Sequence, residues 1–180
     1  MNKKYSIIYA DPPRKYNSRA NHKTRFRWGA EWHYNLMTMD EIKQLPIKDI
    51  ADDNCVLFMW CTFPYLEDQI KLFKHWWFKY KTLWFSWIKT NPKNWKPFFW
   101  VWYYAKSNAE ICLMWIKWKM KPISNKVSSV IISPRREHSR KPDEARDRIV
   151  ELFGDIPRIE LFARTKPDWR DVFWNETNKF

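Results

Sequence analysis

Six short apolar runs constrain this chain more than any other feature: YSIIYA at 5–10, CVLFMW at 55–60, TLWFSWI at 82–88, EICLMWI at 110–116, SSVIIS at 128–133 and RIELFA at 158–163. Each has the length of a strand. Several are apolar throughout, the pattern of strands buried on both faces. Helical patterns fall between them. Thr38-Met39-Asp40-Glu41 has capping-box spacing and predicts a short helix ending before Pro46. Leu66, Ile70, Phe73 and Trp77 recur at helical spacing and predict one apolar helix face. A third helix is expected near Pro142, running through Ala145, Ile149 and Phe153 to a cap at Gly154. A last short strand is expected at 170–175, and long loops at 15–35 and 89–107. Strands alternating with helices imply an α/β fold, a mostly parallel sheet with helices on both faces. No linker or repeat divides the chain, so residues 1–180 are expected to form a single domain.

Composition narrows the class. No run resembles a secretory signal, and every apolar run is broken well short of the ~18 residues of a membrane span. Cys55, Cys61 and Cys112 are odd in number and form no CxxC pair. They fit a reduced, cytoplasmic setting better than a disulfide framework. His22, His33, His75 and His138 are scattered, so no metal motif is visible. The net charge of +13 points to a polyanionic partner, nucleic acid foremost.

Two counts conflict with this fold. The chain has 2 glycines and 14 tryptophans in 180 residues, whereas glycine ordinarily makes up about 7%. Glycine reaches positive φ at turns without steric penalty, and tryptophan does not.

The first apolar run ends in Asp11-Pro12-Pro13-Arg14. In an open α/β sheet, ligands bind at the carboxyl ends of strands. There, the Asp11 carboxylate and the Pro12 carbonyl can accept hydrogen bonds from an adenine amine, and the prolines hold that carbonyl rigidly. The plainer reading is an ordinary Asp-Pro turn. Arg135 and Arg136, in the basic stretch PRREHSRK at 134–141, are candidate phosphate ligands; a merely solvated loop is the alternative.

These residues belong to an ordered series: ADPP (10–13), HYNLMTMDEIKQLPI (33–47), ADDNCVLFMWCTFP (51–64), WIKTN (87–91), NAEICLMWIKWK (108–119), SPRREHSRKPDEARDRI (133–149), RIELFAR (158–164) and WNE (174–176). The series resembles the MT-A70 family of adenine N6-methyltransferases, most closely its small phage and bacterial branch. The resemblance implies a Rossmann-like methyltransferase fold with permuted motif order, S-adenosylmethionine as cofactor, and nucleic acid as substrate, DNA before RNA. It implies a bacterial cell or phage-infected host. It makes Asp11, Pro12, Pro13 and Arg14 the catalytic turn, with Asp11 also facing the cofactor. It places Lys141, Arg164, Asn175 and Glu176 at the cofactor, and His33 and Tyr34 on a substrate-side loop. Little length is left for a separate recognition domain, so loose specificity, or a homo- or hetero-dimer, is expected.

The chain departs from the family in one direction. Arg14 stands where the family has tryptophan, and Trp169-Arg170 where it has Gly-Trp. Trp77, Trp115, Trp118 and Trp174 are the clearest cases of tryptophan in place of glycine, whereas Trp60, Trp76 and Trp87 match family tryptophans. Trp95 is neutral, and Trp28, Trp32, Trp84, Trp100 and Trp102 are further candidates. A gene that uses UGA for glycine and some CGN codons for tryptophan would produce this pattern if decoded otherwise. Restoring about ten glycines would return glycine to its usual share of about 7%. The rival explanation is a catalytically silent, nucleic-acid-binding relative that carries Arg14 natively. An RNA adenosine methyltransferase is the other alternative.

Overall fold

All six apolar runs form strands in the structure, a computed structural model that describes residues 3–14, 36–101, 104–137, 140–163 and 171–173. The strands are β1 (Tyr5–Ala10), β2 (Ala51–Cys61), β3 (Lys79–Thr90), β4 (Trp100–Val101), β5 (Lys106–Ser107), β6 (Glu110–Lys117), β7 (Val130–Pro134), β8 (Arg158–Leu161) and β9 (Asp171–Phe173). Seven of them make one sheet in the order β7-β3-β6-β2-β1-β8-β9. The pairs β1–β2, β1–β8, β8–β9 and β3–β7 are parallel. Among the described strands of this sheet, only β6 runs against its neighbours, β2 and β3. Its first residue, Glu110, therefore lies at the edge where the parallel strands end. β4 and β5 form a separate antiparallel pair within the stretch expected to be loop.

The helices are α1 (Met39–Lys43), α2 (Ile47–Ile50), α3 (Leu66–His75) and α4 (Glu144–Phe153). Thr38 caps α1 through a capping box with Glu41, a feature worth about 1 kcal/mol. The sheet is covered on both faces. On one, Ile8, Leu57 and Leu113 pack with Ile42, Ile47, Leu72 and Phe73. On the other, Ile7, Phe58 and Phe85 pack with Ala145, Ile149, Leu152 and Phe153. This is the mostly parallel, Rossmann-like α/β arrangement that the strand pattern predicts.

Two expectations are corrected. Trp77 is not on the buried face of α3. The helix ends at His75, and Trp77 follows with φ 66 and 69% of its surface exposed. Trp115, named above as standing in place of glycine, is not at a turn that calls for one. It sits inside β6, buried, stacked on Phe73 with ring centroids 4.2 Å apart. Helical spacing continues past the true end of a helix because periodicity does not encode the cap, and only the backbone shows it. Gly154 does close α4, with φ 84 and its N–H donating to the Val150 carbonyl at 2.7 Å.

Candidate active site

β1 lies near the middle of the sheet, between β2 and β8, and delivers Asp11 to the sheet's carboxyl edge. Pro12 and Pro13 are buried. The Pro13 carbonyl accepts the Met37 N–H at 2.7 Å, and Arg14 bridges to Met37 in a short parallel contact. The entry to α1 thus clamps the turn from one side, while the proline rings fix its φ angles.

Four side chains of alternating charge meet beside this turn. Lys141 Nζ lies 2.7 Å from Asp11 Oδ2 and 3.2 Å from Glu110 Oε2. Glu110 Oε1 lies 2.5 Å from Lys89 Nζ. The side chain of Lys141 is 7% exposed, that of Asp11 26%. The cluster is therefore closed at Lys141 and open at Asp11. Burial alone would raise the Glu110 carboxyl, but Lys141 and Lys89 outweigh it and hold the group at about 2. Burial likewise disfavours the Lys141 cation, yet Asp11 and Glu110 reverse this and leave it above the ordinary lysine value. All the charges with a shifted titration here are held ionised at neutral pH.

Indoles make the floor. Lys141 Nζ is 5.6 Å from the Trp60 ring centroid, and Lys89 Nζ is 5.3 Å from that of Trp87. The two rings meet edge to face at 6.3 Å. Each indole N–H is satisfied, Trp60 donating to the Tyr9 hydroxyl at 2.6 Å and Trp87 to the Ser133 carbonyl at 3.1 Å. Cation–π contact in such a desolvated setting is worth up to about 2 kcal/mol.

The cysteines near this edge supply no nucleophile. Burial pushes the Cys61 thiol up to about 12, and burial raises Cys112 well above its ordinary value. A thiol so raised carries almost no thiolate at neutral pH.

Arg14 does not present an open stacking face. It is 5% exposed, with its guanidinium 3.1 Å from the Trp60 carbonyl, 3.4 Å from Thr62 Oγ1 and 3.5 Å from Met59 Sδ. It therefore packs against the end of β2. Arg135 and Arg136 are exposed on the stretch after β7. The Arg135 guanidinium stacks 4.1 Å over Phe98, and its backbone N–H donates to the Thr90 carbonyl at 3.1 Å. Arg136 pairs with Asp143 at 2.6 Å. Asn108 ties the base of the β4–β5 hairpin to Lys89, accepting its N–H at 2.9 Å and donating to its carbonyl at 2.8 Å. His33, Tyr34, Arg164, Asn175 and Glu176 lie outside the described residues, as does Trp174.

The resemblance assigned Asp11 and Lys141 to one site, and the structure places them 2.7 Å apart across 130 positions of sequence. It assigned no role to Glu110, Lys89 or Asn108. Both charged residues sit in the blocks WIKTN and NAEICLMWIKWK that carried the resemblance. A glutamate opening an apolar strand was the available signal.

Residues 5–173 match the MT-A70 family. The type II methyltransferase M.MunI of Mycoplasma sp is 32% identical over 179 residues, covering 90% of this chain and 73% of that protein. The human N(6)-adenosine-methyltransferase catalytic subunit METTL3 is 27% identical over 177 residues, 92% of this chain but 27% of that protein. An N(6)-adenosine-methyltransferase MT-A70-like protein of Arabidopsis thaliana is 26% identical over 167 residues, 89% of this chain and 22% of that protein. With Asp11-Pro12-Pro13 at the carboxyl end of a central strand and the match spanning nearly its whole length, this chain belongs to the MT-A70 family of methyltransferases.

Proposed function

We propose that this chain transfers a methyl group from S-adenosylmethionine to the N6 amine of adenine in DNA. The observation that carries the reading is the half-open Asp11 carboxylate, set between two buried prolines and the buried Lys141 ammonium. DNA is assigned over RNA on the likeness to the type II methyltransferase, of which the chain spans 73%, against 27% of METTL3. Residues 1–180 act as one methyltransferase domain, in the cytoplasm of a bacterial or phage-infected cell.

The residues suit the cofactor in chemical type. S-adenosylmethionine carries a sulfonium and a zwitterionic amino-acid end, and the centre offers carboxylates and ammonium groups side by side. When bound, it would supply an electrophilic methyl group: the S–C bond breaks as the N–C bond forms, the neutral thioether leaves, and one amine proton passes to solvent. Asp11 accepts one N–H of the adenine amine and the Pro12 carbonyl accepts the other. This fixes the nitrogen lone pair in one direction, and positioning of that kind is the main catalytic contribution asked of the protein. Lys141 keeps a positive charge against Asp11, so Asp11 serves as an acceptor. Arg164, Asn175 and Glu176 would hold the cofactor's nucleoside end. His33 and Tyr34 would stand on the substrate side, and Arg135 and Arg136 would meet the phosphates.

The buried Arg14, in the place of the motif's aromatic, favours one second reading, a silent nucleic-acid-binding relative. Labelled S-adenosylmethionine offered with adenine-containing DNA and RNA oligonucleotides to the protein purified from its source distinguishes the readings. N6-methyladenine in DNA is expected. Binding without transfer would establish the silent relative, and a large preference for RNA would overturn the DNA assignment.

A further inference from the structure

Among the described residues, four that are not glycine have positive φ: Trp77 (66°), Trp95 (56°), Trp118 (59°) and Phe162 (65°). Left-handed backbone forces Cβ toward the following carbonyl oxygen, so bulky residues there are outliers. Such strain persists only where the surroundings hold the residue in place. Phe162 meets that condition. It is 6% exposed, within the core, and its N–H donates to the Phe173 carbonyl at 2.9 Å.

The three tryptophans do not meet it. Trp77, Trp95 and Trp118 are 69%, 60% and 75% exposed. Lys48 Nζ rests 4.2 Å over the Trp77 ring, a contact at the surface. By contrast Trp60, Trp76 and Trp87, none with positive φ, are 2–3% exposed. The backbone at each turn is nevertheless well formed. After α3, the Phe78 N–H donates to the Phe73 carbonyl at 3.2 Å and the Trp77 N–H to the Lys74 carbonyl at 3.1 Å. Those are the two bonds of a Schellman motif, with Phe78 and Phe73 both buried in the same core cluster, and Trp77 fills the position that glycine ordinarily takes. Trp95 lies in a closed turn in which its N–H donates to the Asn91 carbonyl at 2.9 Å and the Asn91 N–H to the Lys96 carbonyl at 2.9 Å. Trp118 directly follows β6, and the next N–H, of Lys119, is taken by Asn54 Oδ1 at 3.2 Å.

We propose that the natural protein carries glycine at positions 77, 95 and 118, and that tryptophan stands there because a glycine codon of its source has been read as tryptophan. UGA is the triplet expected. The inference is independent of the methyltransferase reading, since it rests on turns away from Asp11 and Lys141. It extends the sequence pattern to Trp95, and it omits Trp115, whose backbone is that of a strand interior.

Peptide mass spectrometry of the protein purified from its source is the test. Glycine is expected at 77, 95 and 118, and tryptophan at 60, 76 and 87. Tryptophan at 77 and 118 would overturn the proposal. A second arm uses the recombinant chain as written. Trp77→Gly should raise the folded-to-unfolded ratio by about 5- to 30-fold, the factor that relief of one left-handed tryptophan implies. Recovery of folding by Trp77→Gly, where the parent does not fold, has the same meaning. An unchanged or lowered ratio would show that the backbone at 77 does not call for glycine.

Discussion

Replacing Glu110 by glutamine removes one charge from the centre while keeping its shape. Glu110 lies between Lys141, 3.2 Å away, and Lys89, 2.5 Å away. Unit charges about 4 Å apart attract by about 4 kcal/mol at an effective dielectric near 20, and much of this is offset by desolvation. The titration gives a second route to the magnitude. A carboxyl near 4.5 in the unfolded chain and at about 2 in the folded one contributes about 3 kcal/mol at neutral pH. The sign follows from the lowered folded value: the contribution is complete above about pH 4.5 and is lost as pH falls through 2. Glu110 is only 26% exposed, so solvent screens it little. Denaturant unfolding of Glu110→Gln at pH 7 should therefore show a loss of about 2–3 kcal/mol. Between pH 5 and 2.5 the parent should lose stability more steeply than the variant. Equal stability at pH 7 together with parallel acid profiles would refute the argument that two lysines hold Glu110 ionised.

Lys141→Ala and Asn175→Ala should each weaken S-adenosylmethionine binding by calorimetry; unchanged affinity in both would remove them from the cofactor site. Arg135→Ala with Arg136→Ala should weaken DNA binding and flatten its dependence on salt by a slope of about 1 to 2, because fewer counterions are released; an unchanged slope would place both arginines off the phosphates. Arg14→Trp alone should leave the chain as written without appreciable methyl transfer, whereas restoring the glycines along with it should give transfer; equal activity in both would mean that the tryptophans do no harm.

The strands were legible because burial on both faces writes an unbroken apolar run, as CVLFMW shows for β2. The start of α1 was legible because Thr38 and Glu41 make their bonds locally. Strand direction is not written in this way. β6 reads like its neighbours, and only its reversed direction in the sheet carries Glu110 to the edge that holds Asp11. The end of α3 was hidden for a related reason. Trp77 continues the apolar spacing of Leu66, Ile70 and Phe73, while the cap that ends the helix depends on the backbone of residues 73–78. Hairpin β4–β5 lay in a stretch rich in proline and aromatics whose two-residue strands are too short for any period to register. Lys141 was found through the resemblance, because nothing local distinguishes RKPDE from a solvated turn.

Single-turnover methyl transfer by the parent and by Asp11→Asn, on the same adenine-containing DNA with both forms saturated in S-adenosylmethionine, tests the central claim most directly. The protein carrying glycine at 77, 95 and 118 and tryptophan at 14 is predicted to form N6-methyladenine. Asp11→Asn is predicted to bind the DNA and lose the transfer, because the amide has one oxygen where the carboxylate has two: turned to Lys141 it sets a donor against the adenine amine, and turned to the amine it sets a donor against Lys141. Transfer by Asp11→Asn at the parental rate would contradict the account.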